Sequence, residues 1–402
     1  MISIKNNKQW IHYLGLLFCL AFPSLAIFKK LGFPLLILYV AIAAILLGLL
    51  LRYVTKFFST IQTKHLLYFL LFIFLILTGL YLTIHPLIDT AGFSLAGKSF
   101  GSSDADNATV DALTELTQGR YPYYAETFLG NPITPMPGAL LMALPFFVLG
   151  DVAIQNIFWF AAFFIFVSFY CKNIQVATIL CIAVLMLTPN FLYHVLQGTD
   201  YISNGIYLLI FSAGLLETAR KKASMGYIVI WAILLGLGLS SRMNFILILP
   251  LMFFALIRLA GLPKTIIIML IVGISFIGIT LPFALYDFAN FSPLHTSNKL
   301  NVNGETPWAP ILIPLSGLIL STYFGLKHKA YSLLTFMRDV FWVQAYLIIC
   351  GLALSSYAHS HIDLAYPHFA LLFMFFGVFA FGIPLFNKKI KAQSDSQLDH
   401  GT

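Results

Sequence analysis

Residues 33–51 read FPLLILYVAIAAILLGLLL, nineteen positions without a charge that end at Arg52. As an α-helix rising 1.5 Å per residue, such a run covers about 28 Å, close to the ~30 Å hydrocarbon core of a bilayer. Working outward, further apolar runs bounded by turn residues and charges fall near 11–28, 66–84, 152–171, 174–188, 204–218, 226–240, 245–258, 265–286, 309–326, 340–357 and 368–386. Over all 402 residues the chain is 60% hydrophobic, 16% aromatic and 9% charged, against roughly 25% charged in soluble domains. Mean hydropathy is +0.90. The sequence predicts an all-α polytopic membrane protein of about twelve transmembrane helices. It excludes a soluble enzyme, a nucleic-acid-binding protein and a disordered scaffold. The net charge of +8 comes in small clusters between apolar runs, which is how membrane orientation is written.

Placing the N-terminus in the cytoplasm puts 17 of the 23 basic residues on the inner side, as the positive-inside rule requires. The C-terminus is then also cytoplasmic, and the membrane is a plasma (inner) membrane. Acidic residues, which did not set this orientation, segregate the other way, with 11 of 15 outside. Lys5 and Lys8 ahead of the first run resemble a signal sequence, and Ser24-Leu25-Ala26 a weak cleavage site; an uncleaved anchor is the preferred reading. The four cysteines lie in or beside apolar runs with no metal or disulfide spacing. One transmembrane domain over 1–386 and a polar cytoplasmic tail over 387–402 is the simplest organisation.

The longest stretch between spans is 85–151, far beyond the usual connection of about 4–6 residues, which suggests a functional segment. Ser103-Asp104-Ala105-Asp106 precedes Val110, Leu113 and Leu116, spaced as an amphipathic helix that closes at Gly119. An aromatic, proline-rich stretch follows, then 139–149, apolar but interrupted by Pro145. Too short to cross, 139–149 is expected at the outer interface.

Asp104 and Asp106 suit a general base or a divalent cation, while Ser103-x-x-Asp106 also matches a helix capping box. Arg242, between two apolar runs where positive charge is sparse, suits a phosphate; a structural ion pair with a loop carboxylate is the alternative. Arg120, the loop's own arginine, is a second candidate for an anionic substrate. Asp200 in Gln197–Tyr201 and His361 in His359–Asp363 add polar groups on the same side. His359-x-His361 alone falls short of a metal set, so solvated loop residues is the blander reading. Tyr121, Tyr123 and Tyr124 can stack on a sugar or anchor at the interface.

Over 85–171 the chain resembles the GT-C glycosyltransferases, in the branch of protein mannosyltransferases and lipid A aminoarabinose transferases. There an acidic pair opens a loop helix that closes on glycine, and a Pro-Pro-Leu juxtamembrane helix follows. Here Asp104 stands fifteen residues before Gly119, and Pro135-Met136-Pro137-Gly138-Ala139-Leu140-Leu141 is similar to the start of that helix. This chain has Asp104-x-Asp106 where the family often has adjacent Asp-Glu, and Met136 interrupts the double proline.

The resemblance implies a GT-C-like fold and transfer, with inversion, of a sugar from a polyprenyl-phosphate donor to a hydroxyl on a glycan, lipid or protein. Asp104 would be the base, assisted by Asp106, and Arg242 would neutralise the phosphate. Besides these substrates the expected partners are membrane lipids, with no nucleic acid. No cofactor is expected, because a phosphate leaving group needs no metal where a cationic side chain suffices; the acid pair leaves a divalent cation open.

A secondary transporter or lipid-intermediate flippase would also have about twelve spans, with ionisable groups near the bilayer midplane; here the span centres are almost free of charge. An O-antigen-type polymerase or ligase would carry several basic residues in a large late outer loop, and 287–308 holds only Lys299.

Overall fold

The computed structural model describes residues 7–88, 93–95, 98–100, 104–364 and 366–387. Each apolar run folds as a helix, because inside a bilayer only a helix satisfies its own backbone N–H and C=O groups. In chain order these are α1 Asn7–Ala21, α2 Leu25–Leu31, α3 Phe33–Leu49, α4 Thr55–Ser59, α5 Thr63–Ile88, α6 Asn107–Thr117, α7 Pro137–Val148, α8 Gln155–Cys171 and α9 Ile174–Leu187. There follow α10 Pro189–Leu196, α11 Tyr201–Arg220, α12 Met225–Leu239, α13 Leu249–Ala260, α14 Leu262–Tyr286, α15 Ala309–Lys327, α16 Leu333–Ala358 and α17 Met374–Gly377. A short antiparallel ribbon, β1 Phe93–Leu95 with β2 Lys98–Phe100, lies in the long loop.

Among the described residues eight helices are long and apolar enough to cross a membrane, or ten if each of two bent pairs makes one span. The structure thus supports a polytopic helical membrane protein, in which eight to ten of the twelve expected spans have the length and composition of a full crossing. All twelve runs are helical. However, α8 and α12 fall short of a full span, and the runs at 174–188 and 368–386 belong to bent pairs.

The first bend, 84° between α9 and α10, comes from Pro189 at a helix start. Its polar groups are used rather than stranded. Thr188 donates to the Leu20 carbonyl (2.8 Å), Asn190 Nδ2 donates to the Pro23 carbonyl (2.9 Å), and the Asn190 N–H donates to Ser24 Oγ (3.2 Å). The facing residues are themselves a break, the 3-10 turn Phe22–Ser24 between α1 and α2. Around it Leu16, Cys19 and Leu20 are buried in the main core, so the N-terminal helix is an integral packing element.

α11 is buried along most of its length, whereas α5 and α14 expose most of theirs, the surfaces a bilayer would cover. The connections that the charge pattern assigns to one side meet at one end. Tyr121 donates to the Phe283 carbonyl (2.8 Å), Gly138 N–H to the Ser240 carbonyl (2.8 Å), Tyr366 to the Lys299 carbonyl (2.9 Å), and Lys29 pairs with Asp363. At the other end Arg258 reaches carbonyls of Phe254 and Leu326. The segment 139–149 forms most of α7, whose start is pressed on the end of α12. A Cβ on Gly138 would lie 2.3 Å from the Leu237 carbonyl oxygen, so only glycine fits there.

The loop helix is present as α6, followed by Gly119 in the left-handed region at φ 73°. Only one half of the expected capping box, Asp106, falls among the described residues. α6 begins after the acid pair, with Asp106 at its N-cap position and the Asp106 carboxylate 3.4 Å from His85 Nε2. Ser103, the other half of that box, lies outside the described residues, as does the tail beyond Asn387.

Candidate active site

Where the loops converge lies a cavity of about 380 Å³. Its lining includes the cations Arg242 and Lys299 and the polar Asn244, Thr134 and Thr296, together with apolar Leu247, Pro310, Pro314, Leu347, Ile348 and Leu372. A separate groove of about 570 Å³ runs along α15 and α16, lined by Trp308, Ile313, Ile319, Tyr346 and Leu354.

Arg242 sits between α12 and the 3-10 segment Met243–Ile248, in extended backbone at φ −148°. Its Nη2 pairs with Asp200, and its guanidinium lies 5.2 Å from the centre of the Tyr201 ring. Asp200 also accepts from Asn204 Nδ2 at 2.8 Å, and the Tyr207 hydroxyl donates to Asn204 Oδ1 and to Ser241 Oγ, each at 2.6 Å. This chain of bonds holds the α11 start against the α12 end. Burial works against the charge of Arg242 and Asp200 restores it, so the guanidinium stays protonated. Its Nε is buried with no hydrogen-bond partner among the described residues, at a cost of about 1–3 kcal/mol for such a group. The alternative of a structural ion pair is therefore realised, and Arg242 lines the cavity as well.

Lys299, in the 3-10 segment Ser292–Leu300, makes no ion pair among the described residues. Burial and then Arg242 push its ammonium below the usual lysine range, and Asp104 pulls the other way. Asp104 thus lies within electrostatic reach of Lys299, and of Tyr201. The turn 127–131 fixes it: Thr127 Oγ1 (2.5 Å) and Asn131 Nδ2 (2.8 Å) both donate to Oδ2. Oδ1 has no hydrogen-bond partner among the described residues. A carboxylate with one oxygen anchored and one open is suited to accept a proton.

Asp106 lies deeper, its side chain 9% exposed, with His85 Nε2 at 3.4 Å. Of the candidates only Arg242 is among the residues lining the cavity; Asp104, Asp106, Asp200 and the others are not. Arg120 pairs with Glu115 at the surface. Tyr123 is buried and donates to the Pro135 carbonyl (3.1 Å), Tyr124 is exposed and donates to Asp287 (3.0 Å), and His361 is exposed beside the His359 carbonyl (2.8 Å). Tyr121, its hydroxyl pushed up to about 12 by burial and by Asp287, Tyr124 and Tyr286, remains a donor to the Phe283 carbonyl. Among the described residues no group of three or more His, Cys, Asp and Glu gathers as a metal set.

Sequence reading missed Lys299, Asn244, Thr127 and Asn131 as site residues. The only available signal was that Lys299 is one of six basic residues on the sparse side. No protein family, curated protein or solved structure matches this chain.

Proposed function

We propose that this chain is a membrane glycosyltransferase that moves a sugar from a polyprenyl-phosphate donor to an acceptor hydroxyl, with inversion. The reaction takes place at the outer face of a plasma membrane, both termini being cytoplasmic. The observation that carries this reading is the make-up of the 380 Å³ cavity. Two cations in an otherwise largely apolar lining match a ligand with an anionic head on a hydrocarbon chain, and the α15–α16 groove offers more apolar surface for a long tail. Arg242 and Lys299 hold the phosphate. Asp104 Oδ1 takes the acceptor proton as the acceptor oxygen bonds to the anomeric carbon. The carbon–oxygen bond to phosphate breaks, and polyprenyl phosphate leaves with the electron pair. Cations placed where that charge builds contribute about 2.7–4 kcal/mol in comparable sites.

The experiment is transfer of radiolabelled sugar in vesicles supplied with polyprenyl-phosphate-sugar donors, at matched membrane expression. Asp104→Asn is expected to lower transfer by about 10²–10⁴-fold. Undiminished transfer in that variant removes Asp104 as the base, and a wild type inert with every donor overturns the reading itself.

A further inference from the structure

The two acids of the loop face different ways, and the second meets a histidine whose bonding is defined. His85, in the last turn of α5, has Nδ1 2.8 Å from the Leu196 carbonyl at the end of α10. A carbonyl only accepts, so Nδ1 carries the hydrogen. Nε2 then faces a carboxylate oxygen of Asp106 at 3.4 Å. The ring is clamped from its face by Tyr81, stacked at 4.7 Å, whose hydroxyl donates to both oxygens of Asp151 (2.7 and 2.8 Å). Asp151 in turn accepts from the Ala153 N–H (2.9 Å).

A second, independent feature seats Asp106 at this point. Gly198 follows α10 in the left-handed region at φ 72°, and a Cβ there would fall 2.9 Å from Asp106 Cβ and 2.6 Å from Ala153 Cβ. A residue with a side chain would hold Asp106 off the ring, and it would also strain the backbone. One imidazole therefore ties α5, α10 and the start of α6 together, two residues from Asp104.

We propose that the acid pair divides its work: Asp104 handles the acceptor proton, while His85 and Asp106 are positioning residues whose clasp fixes the start of α6 and so the place of Asp104. This assignment rests on the function proposed above for its kinetic consequence, but not for its structural one.

The test uses the full chain in lipid nanodiscs, with backbone hydrogen exchange over 104–117 and transfer kinetics measured on the same samples. Asp106→Asn is expected to preserve the clasp, since neutral His85 Nε2 accepts from an asparagine Nδ2. Exchange then stays near wild type and kcat within about threefold. Asp106→Ala and His85→Ala are expected to speed exchange of α6 about tenfold and to lower kcat with KM for the donor unchanged. If Asp106→Asn lowers kcat as far as Asp104→Asn while exchange stays at the wild-type rate, Asp106 is catalytic and the division is wrong. If His85→Ala leaves exchange unchanged, there is no clasp. A wild type that transfers no sugar counts against the proposed function alone, and the exchange measurements still decide the clasp.

Discussion

Arg242 with Asp200 and Arg338 with Asp339 are both arginine–carboxylate pairs with a buried carboxylate, and they lie toward opposite ends of α15. At the loop end Asp200 takes Arg242 Nη2 and an asparagine amide, while Arg242 lines a cavity it shares with Lys299. At the other end Asp339, only 2% exposed, meets Arg338 at 3.2 Å and His328 Nε2 at 3.0 Å, and neither cation lines either cavity described above. An arginine paired with a buried carboxylate is thus not in itself a site. It becomes one where unspent positive charge opens on space that a ligand can enter.

The sharpest way to break this comparison is to truncate the two arginines. Arg242→Ala is expected to lower transfer by about 10²–10³-fold, and Arg338→Ala to leave initial rates in proteoliposomes within about threefold. Equal losses would show that the contrast between the pairs is illusory. Removing the acids should separate stability from chemistry. Asp200→Ala leaves a buried guanidinium unpaired, a change that costs about 3–5 kcal/mol in comparable pairs, so both thermal stability in detergent and transfer should fall. Asp339→Ala should lower the melting temperature while the folded fraction keeps its turnover.

Lys299 gives a smaller, pH-dependent effect. Its ammonium is held below the usual lysine range, so on raising the pH it loses its charge earlier than a free lysine does, and donor KM should rise on the alkaline side. Lys299→Arg should move that limb to higher pH, and Lys299→Ala should raise KM across the whole range. An alkaline limb that Lys299→Arg leaves in place would assign the titration elsewhere. Arg120→Ala sets the floor of the series: its partner is Glu115 at an exposed surface, and transfer should change less than about twofold.

The spans were legible because a long charge-free run has one stable solution in a bilayer, and α6 because Val110, Leu113 and Leu116 repeat at a helical interval. The span count was less so, since the bend at Pro189 is met by distant carbonyls of Leu20 and Pro23 and a second bend follows Leu372. Of the site, Asp104 and Arg242 could be singled out as charges in unusual places. Lys299 carries no such mark, because its meaning comes from Arg242 and Asp104 across the fold. His85 was visible only as one more histidine on the acidic side, and its role depends on a carbonyl at Leu196, which no side-chain pattern records. Tyr123, Tyr124 and His361 were chosen by residue type, and their hydroxyl and ring nitrogen bond to Pro135, Asp287 and His359 instead of facing the cavity.

The interlocked breaks of the first helix and of α9–α10 bear on how the molecule is made. Leu20 and Pro23 leave the ribosome 168 and 167 residues ahead of Thr188 and Asn190, the side chains that bond to their carbonyls. The first span therefore enters the bilayer with its turn incomplete and waits through the synthesis of every intervening span. These contacts between the two breaks form only after residues 188–190 have been synthesised. The middle of the polypeptide returns to close the beginning.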